Sequence, residues 1–210
     1  MAFTGWPAEA LDFYRGLEAD NSRAYWQAHK AVYDEAVRRP MEELLAELAD
    51  EHGEGKVFRP NRDVRFSDDK SPYKTAIGAT LAGGGYVQLS ATGLGLGRGY
   101  YVMDRDQLDR YRRAVDDETT GARLVEVVGA LAREEIDVMS FGTLKTAPRG
   151  YARDHPRVEL LRHKGLVAWQ EHPAAPWLST RAARDRVVTF LEGSRPLSDW
   201  LDREVGPGGD

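Results

Sequence analysis

The residues best equipped for chemistry are crowded into one short stretch, Lys56 to Thr75, which reads KVFRPNRDVRFSDDKSPYKT. Lys56, Arg59, Arg62, Arg65, Lys70 and Lys74 stand here against Asp63, Asp68 and Asp69. Arginine offers a planar fork for a carboxylate or phosphate, and lysine a compact point charge. A site for a small anion would use Arg62, Arg65, Lys70 and Lys74 as clamps and Asp63 as their orienter. Ser67 and Asp69 would be further polar contacts, and Tyr73 a proton handler. Two other readings use the same residues. Asp68 and Asp69 suit a hard divalent cation such as Mg²⁺, which commonly takes one or two carboxylates plus ligand oxygens. Alternatively the aspartates are counterions in a buried ion-pair network. In each reading Phe66, Pro72 and Tyr73 anchor the loop to the body.

A second basic island runs from Lys145 to Lys164, with Lys145, Arg149, Arg153, Arg157, Arg162 and Lys164 against Asp154 and Glu159. Pro148 and Gly150 make a tight turn there, from which Arg149, Tyr151 and Arg153 project. Asp154-His155-Pro156 then enters an expected helix, with Pro156 at its first position and free N–H groups able to cap an anion. His155 is the general acid/base candidate, since an imidazole titrates near neutral pH. The competing account makes Asp154 a helix cap and His155 an ordinary turn residue. Lysine is scarce here, yet Lys70, Lys74, Lys145 and Lys164 all fall in the two islands. With a net charge of -5, the remainder of the chain is acidic. Two such islands would form one electropositive cleft if the fold brings them together.

Helices and strands must position these groups. Pro7 at a first helical position opens a helix with Leu11, Tyr14 and Leu17 on one face. Asp20 or Asn21 caps a second, through Tyr25, Trp26, His29 and Tyr33. Pro40 either kinks that helix or starts a third, with Met41, Leu44, Leu45 and Leu48 inward. Val57-Phe58 and Val64 to Phe66 read as extended, and Ser67 to Pro72 as a loop. Strand-like runs follow at Thr75 to Leu81, Tyr86 to Thr92 and Leu94 to Met103, the first two joined by a glycine turn at Gly83 to Gly85. The GLGLGRG run lacks the G-x-G-x-x-G register and lies between strands, so it is no dinucleotide fingerprint. Asp104 and Gln107 form a capping box ahead of Leu108, Tyr111 and Val115. Thr119 or Thr120 starts the next helix, and Ile136 to Thr146 and Leu166 to Gln170 read as extended. Ser179 or Thr180 caps a helix, and a last one runs from Pro196 to about Val205. The order is that of an α+β fold: an antiparallel sheet of roughly four to six strands from the middle of the chain, packed by N-terminal and C-terminal helices. One domain over residues 1–205 and a disordered tail over 206–210 are expected.

Composition narrows the classes. The chain has 210 residues, 41% hydrophobic and 30% charged, as in an ordinary globular protein. Cysteine is absent, so disulfides, thiolate metal sites and cysteine nucleophiles are excluded. The histidines do not recur at metal-ligand spacing. No signal peptide and no membrane span are read, which makes cytoplasmic the expected location and membranes no partner.

RDVRFSDDKSPYKT, a glycine-rich strand pair and LKTAPRGYARDHPR together resemble an uncharacterised family of bacterial and fungal proteins, a conserved domain of unknown function. The resemblance covers nearly the whole chain, from the Asn21-to-Trp26 segment to Pro196-Leu197 and Trp200-Leu201. It implies one domain with Arg62, Asp63, Arg65, Phe66, Ser67, Asp69, Lys70, Pro72, Tyr73 and Lys74 as signature positions. It implies no activity. From the residues themselves, the function expected is binding of a small phosphate-bearing ligand such as a nucleotide, with hydrolysis or phosphoryl transfer as the chemistry it would allow. The alternatives are a nucleic-acid-binding module and a non-catalytic scaffold built on an ion-pair network.

Overall fold

The computed structural model describes residues 2–63, 65 and 69–208. The expected strand positions Val64 and Phe66, the loop residues Ser67 and Asp68, and the tail residues Gly209 and Asp210 lie outside the described residues. The fold is α+β. Six strands form one sheet in the order β1-β2-β3-β4-β6-β5: β1 Gly55–Val57, β2 Ala76–Leu81, β3 Gly85–Ser90, β4 Gly93–Tyr100, β5 Asp137–Met139 and β6 Leu166–Pro173. The chain gathers into two compact units, Met1–Leu96 with Glu171–Thr189, and Gly97–Gln170 with Phe190–Asp210. No helix among the described residues is long and apolar enough to cross a membrane.

In the first unit, α1 (Ala8–Ala19) buries Ala10, Phe13, Tyr14 and Leu17 at helical spacing. Pro7 is the residue before the helix, not its first, because its ψ of 159° is extended. Ser22, not Asp20 or Asn21, caps α2 (Arg23–Val32), its hydroxyl accepting from the Tyr25 N–H. That leaves the Asn21 amide for a longer-range task. A π-helical turn, Tyr33–Arg38, leads without a break into α3 (Arg39–His52), which carries Pro40 in its first turn. Proline has no N–H to return to the carbonyl four residues back, and the wider turn falls where that bond is missing. α3 buries Met41, Leu44, Leu45 and Leu48. Ile77, Ala79 and Leu81 of β2 and Val87 and Leu89 of β3 are buried, setting the inward face of the antiparallel β1–β3 strands. A 3₁₀ turn (Pro176–Ser179) precedes α7 (Ala182–Gly193). Glu47 of α3 accepts from the Phe3 N–H at 2.7 Å and pairs with Arg181 at 3.0 Å and Arg184 at 3.1 Å, tying the chain start and α7 to α3.

In the second unit the Asp104–Gln107 capping box forms in full at the start of α4 (Arg105–Asp116), which buries Tyr111 and Val115. Asp117, not a threonine, caps α5 (Glu118–Arg133), because its carboxylate accepts from both the Thr119 and Thr120 N–H groups. The expected extended run Ile136 to Thr146 shortens to β5. Ser140 folds the chain through bonds with Gly142, and pairing resumes only as a single bridge, Thr143 to His163. The helix expected from Pro156 shrinks to one turn, α6 (Val158–Leu161), and the Arg157 N–H just before it is taken by His155 Nδ1 at 3.0 Å. The helix N-terminus expected to cap an anion is therefore not there. α8 (Arg195–Glu204) buries Leu197, Trp200 and Leu201. In the tail, the Gly206 and Pro207 carbonyls accept from Gln107 and Arg110 of α4.

The glycine-rich strand has positions, Gly93 and Gly99, where a side chain would run into backbone. Gly93 sits at φ +138°, and a Cβ there would lie 2.2 Å from the His172 carbonyl oxygen and 2.7 Å from the Ala174 nitrogen. Both obstacles are backbone and cannot turn aside. Gly93→Ala is expected to destabilise the protein by more than ~1 kcal/mol, read as a lower midpoint in urea unfolding. An unchanged midpoint would mean that β4 and β6 can part there at no cost.

Candidate functional site

The charged segment begins and ends at a closed neck. Its incoming and outgoing strands pair around the Asn61–Tyr73 bridge, with the Arg62 N–H donating to the Pro72 carbonyl at 2.9 Å and the Lys74 N–H to the Pro60 carbonyl at 2.8 Å. The Asn21 side chain then binds the Tyr73 backbone on both sides. Its amide nitrogen donates to the Tyr73 carbonyl at 3.0 Å, and its oxygen accepts the Tyr73 N–H at 3.1 Å. A side-chain amide here does what a neighbouring strand would do. Each such bond contributes about 0.5–1.5 kcal/mol net. The Tyr73 ring stacks on Trp26 with centroids 4.3 Å apart and planes 9° apart, worth about 0.5–1.5 kcal/mol beyond the buried area. Tyr73, expected as a proton handler, is thus only 8% exposed and also anchors the loop.

Beyond the neck the arginines already hold partners. Arg65 grips Asp63 with two parallel bonds, 2.9 Å from Nε and 2.7 Å from the terminal nitrogen. Arg62 pairs with Asp69, which also accepts from the Ser71 N–H at 2.9 Å and hydroxyl at 2.6 Å. The Ser71 bonds, with Arg62 beside them, hold the Asp69 carboxyl down at about 2. Arg65 likewise holds Asp63 below the usual carboxylate range. All four side chains are open to solvent, with Arg65 77% exposed. Exposed pairs of this kind contribute about 0–1 kcal/mol. The described pairs are therefore a surface lattice and not the buried network that was one expectation.

The lysines of the segment are placed differently. Lys74 lies with its ammonium 5.4 Å from the centre of the Phe58 ring. Lys56 and Arg59 are exposed and make no ion pair among the described residues, and Lys70 is exposed beside Asp69. Asp68, half of the expected Mg²⁺ pair, and Ser67 lie outside the described residues. Among the described residues no three histidine or carboxylate groups converge as on a metal ion, and Asp69 is engaged with Ser71 and Arg62. A shallow groove lined by Pro7, Glu9, Ala31, Val32, Glu35 and Ala36 also lies in this unit. It carries two carboxylates and no cation, which is the wrong lining for an anion.

The second island belongs to the other unit. Lys145, Arg149 and Arg153 are exposed and unpaired among the described residues, around a turn closed by the Tyr151 N–H on the Pro148 carbonyl at 3.2 Å. Burial, and Asp116 nearby, push the Tyr151 hydroxyl up. His155 has neither ring nitrogen free. Nδ1 accepts the Arg157 N–H, which fixes the tautomer, and Nε2 faces the Asp116 carboxylate at 3.2 Å. Arg157 reaches the carbonyls of Val115 and Asp116 at 2.6 and 2.8 Å, and so closes the C-terminal end of α4.

Asn21 and Phe58 are the participants that reading along the chain does not assign to the site. The signal for Phe58 is its alternation with Lys56 just before the arginine run. Asn21 carries none, because its partner is 52 positions away.

The Asp69 geometry fixes a pH response. Its folded value lies below the usual carboxyl range, so the order it gives the loop is present above about pH 4 and is lost as pH falls toward 2. At pH 3 the Asp69 carboxyl carbon is expected to keep its ionised NMR shift, and Ser71→Ala should move the titration upward. Titration at the ordinary value in the wild type would contradict this arrangement.

Searches among curated proteins and among solved structures found no match. A family model matches residues 9–200, and the chain belongs to that family, DUF2461, a family of conserved hypothetical proteins.

Proposed function

We propose that the protein binds a small phosphate-bearing ligand, a nucleotide being the type, at the neck and rim of the Lys56-to-Thr75 segment. The observation that carries the reading is the division of labour among its cations. Arg62 and Arg65 are held by Asp69 and Asp63. Lys56 and Lys74 make no ion pair among the described residues, and Arg59 makes none although Asp63 lies near enough to feel its charge. A phosphate meets these three as point charges or a fork. The exposed Arg62 and Arg65 pairs contribute about 0–1 kcal/mol each, so an incoming phosphate exchanges for their aspartates at little cost. The rigid neck fixes where the charges stand, which limits the entropy lost on binding. Lys70, Ser67 and Tyr73 belong to the same proposed site, and a cytoplasmic location, where free nucleotides are held, belongs to the same proposal. Lys145, Arg149, Tyr151 and Arg153 are not needed for it.

A thermal-shift screen with nucleotides, sugar phosphates and inorganic pyrophosphate tests the reading. A ligand at a hundred times its Kd stabilises by ~2.7 kcal/mol, which for a chain of this size is roughly 5–10 °C. The wild type should show such a shift with at least one of them, and Lys74→Ala should lose most of it. No shift from any of these anions would overturn the proposal.

A further inference from the structure

The groove of the first unit has a lining opposite in kind to the charged segment. Its volume of about 450 Å³ falls within the ~300–1,000 Å³ of small-molecule sites. Pro7 and Glu9 enter it from the approach and first turn of α1, Ala31 and Val32 from the end of α2, and Glu35 and Ala36 from the π-helical turn. Turns of that wider kind recur at functional sites. Ala31 is exposed and Val32 is 37% exposed, so the floor is apolar surface left open to solvent.

The cations of the surrounding helices are already tied to carboxylates. Lys30 pairs with Asp34, Arg15 with Asp12 at 2.8 Å and Arg38 with Glu42 at 2.8 Å. Arg39 bonds Glu35 at 2.8 Å and Glu43 at 3.4 Å. Its bond goes to Glu35 Oε2, and Oε1 makes none among the described residues. Glu9 is exposed and makes no ion pair or hydrogen bond among the described residues. The groove therefore joins an apolar floor to acceptor oxygens from two separate elements.

We infer that this groove binds an aliphatic diamine, its hydrocarbon body lying on Pro7, Val32 and the two alanines and its ammonium ends donating to Glu9 and Glu35. Such a molecule keeps its charges in water while its stem covers apolar surface, as a lysine side chain does. Other ligand classes use only half of the lining. A bare divalent cation takes about six oxygens, which four apolar residues do not supply. A cage for a quaternary ammonium is built from aromatic rings, and none lines the groove. A neutral apolar molecule leaves both carboxylates unused. The inference uses no residue of the charged segment, so it stands or falls apart from the phosphate reading.

NMR titration of the ¹⁵N-labelled protein at low salt, with α,ω-diamines from the propane to the hexane chain, tests it. The amides of Glu9, Val32 and Ala36 should shift together and saturate with at least one of them. Glu9→Gln and Glu35→Gln should each weaken binding by up to about fivefold, the range of an exposed ion pair. Ala31→Leu keeps both carboxylates and fills the groove, and it should abolish the saturable shifts. All three positions are exposed, and thermal midpoints near the wild type check the fold. The inference fails if no diamine gives saturable shifts at these amides, if Ala31→Leu binds as well as wild type, or if both glutamine variants do. Nα-acetyl-lysine methylamide binding as tightly as the best diamine would also overturn it, in favour of a lysine side chain from a protein partner.

Discussion

One side-chain amide decides whether the charged segment is a site or a strand of loose charges. Asn21 binds the Tyr73 backbone at both its N–H and its carbonyl, and the Trp26 ring closes over the Tyr73 ring. Together they fasten the outgoing strand of the segment to the first two helices. The bridge from Tyr73 to Asn61 then fastens the incoming strand. Remove the amide and two backbone groups at a half-buried position lose their partners, which costs about 1–3 kcal/mol for each group left unsatisfied. The neck would open before the rest of the sheet does.

Everything beyond the neck follows from weak interactions at a fixed base. The Asp63–Arg65 and Arg62–Asp69 pairs are exposed and individually slight. Their value is geometric, since each holds a guanidinium at a defined place. Lys56 and Lys74 differ in making no ion pair among the described residues. Lys74 has an aromatic face beneath it, which favours the cation without discharging it.

The fold class and most element positions were legible because the local signals were strong. The Asp104–Gln107 capping box, the glycine turn ahead of Tyr86 and the helical spacing of Met41, Leu44, Leu45 and Leu48 each stand where the residues say. The departures have local causes. Asp117 outcompetes the threonines as a cap because one carboxylate can accept two N–H groups. His155 takes an N–H that an anion at the expected helix start would have used. In the site, the types of residue were legible and their partners were not. No pattern along the chain pairs Asn21 with Tyr73, or sets Phe58 beside Tyr86, since both depend on register between distant segments. Likewise, the choice between a buried network and a surface lattice turned on exposure, which residue types alone do not encode.

Native-state hydrogen exchange bears most directly on the neck. The amides of Arg62, Tyr73 and Lys74 donate to Pro72, Asn21 and Pro60, respectively. If the clamp fixes the segment, these three should be protected to a degree comparable with the amides that join β2 to β3. Exchange at the rate of an open loop would show that the charges have no fixed base, and the account of the site built on it would fall.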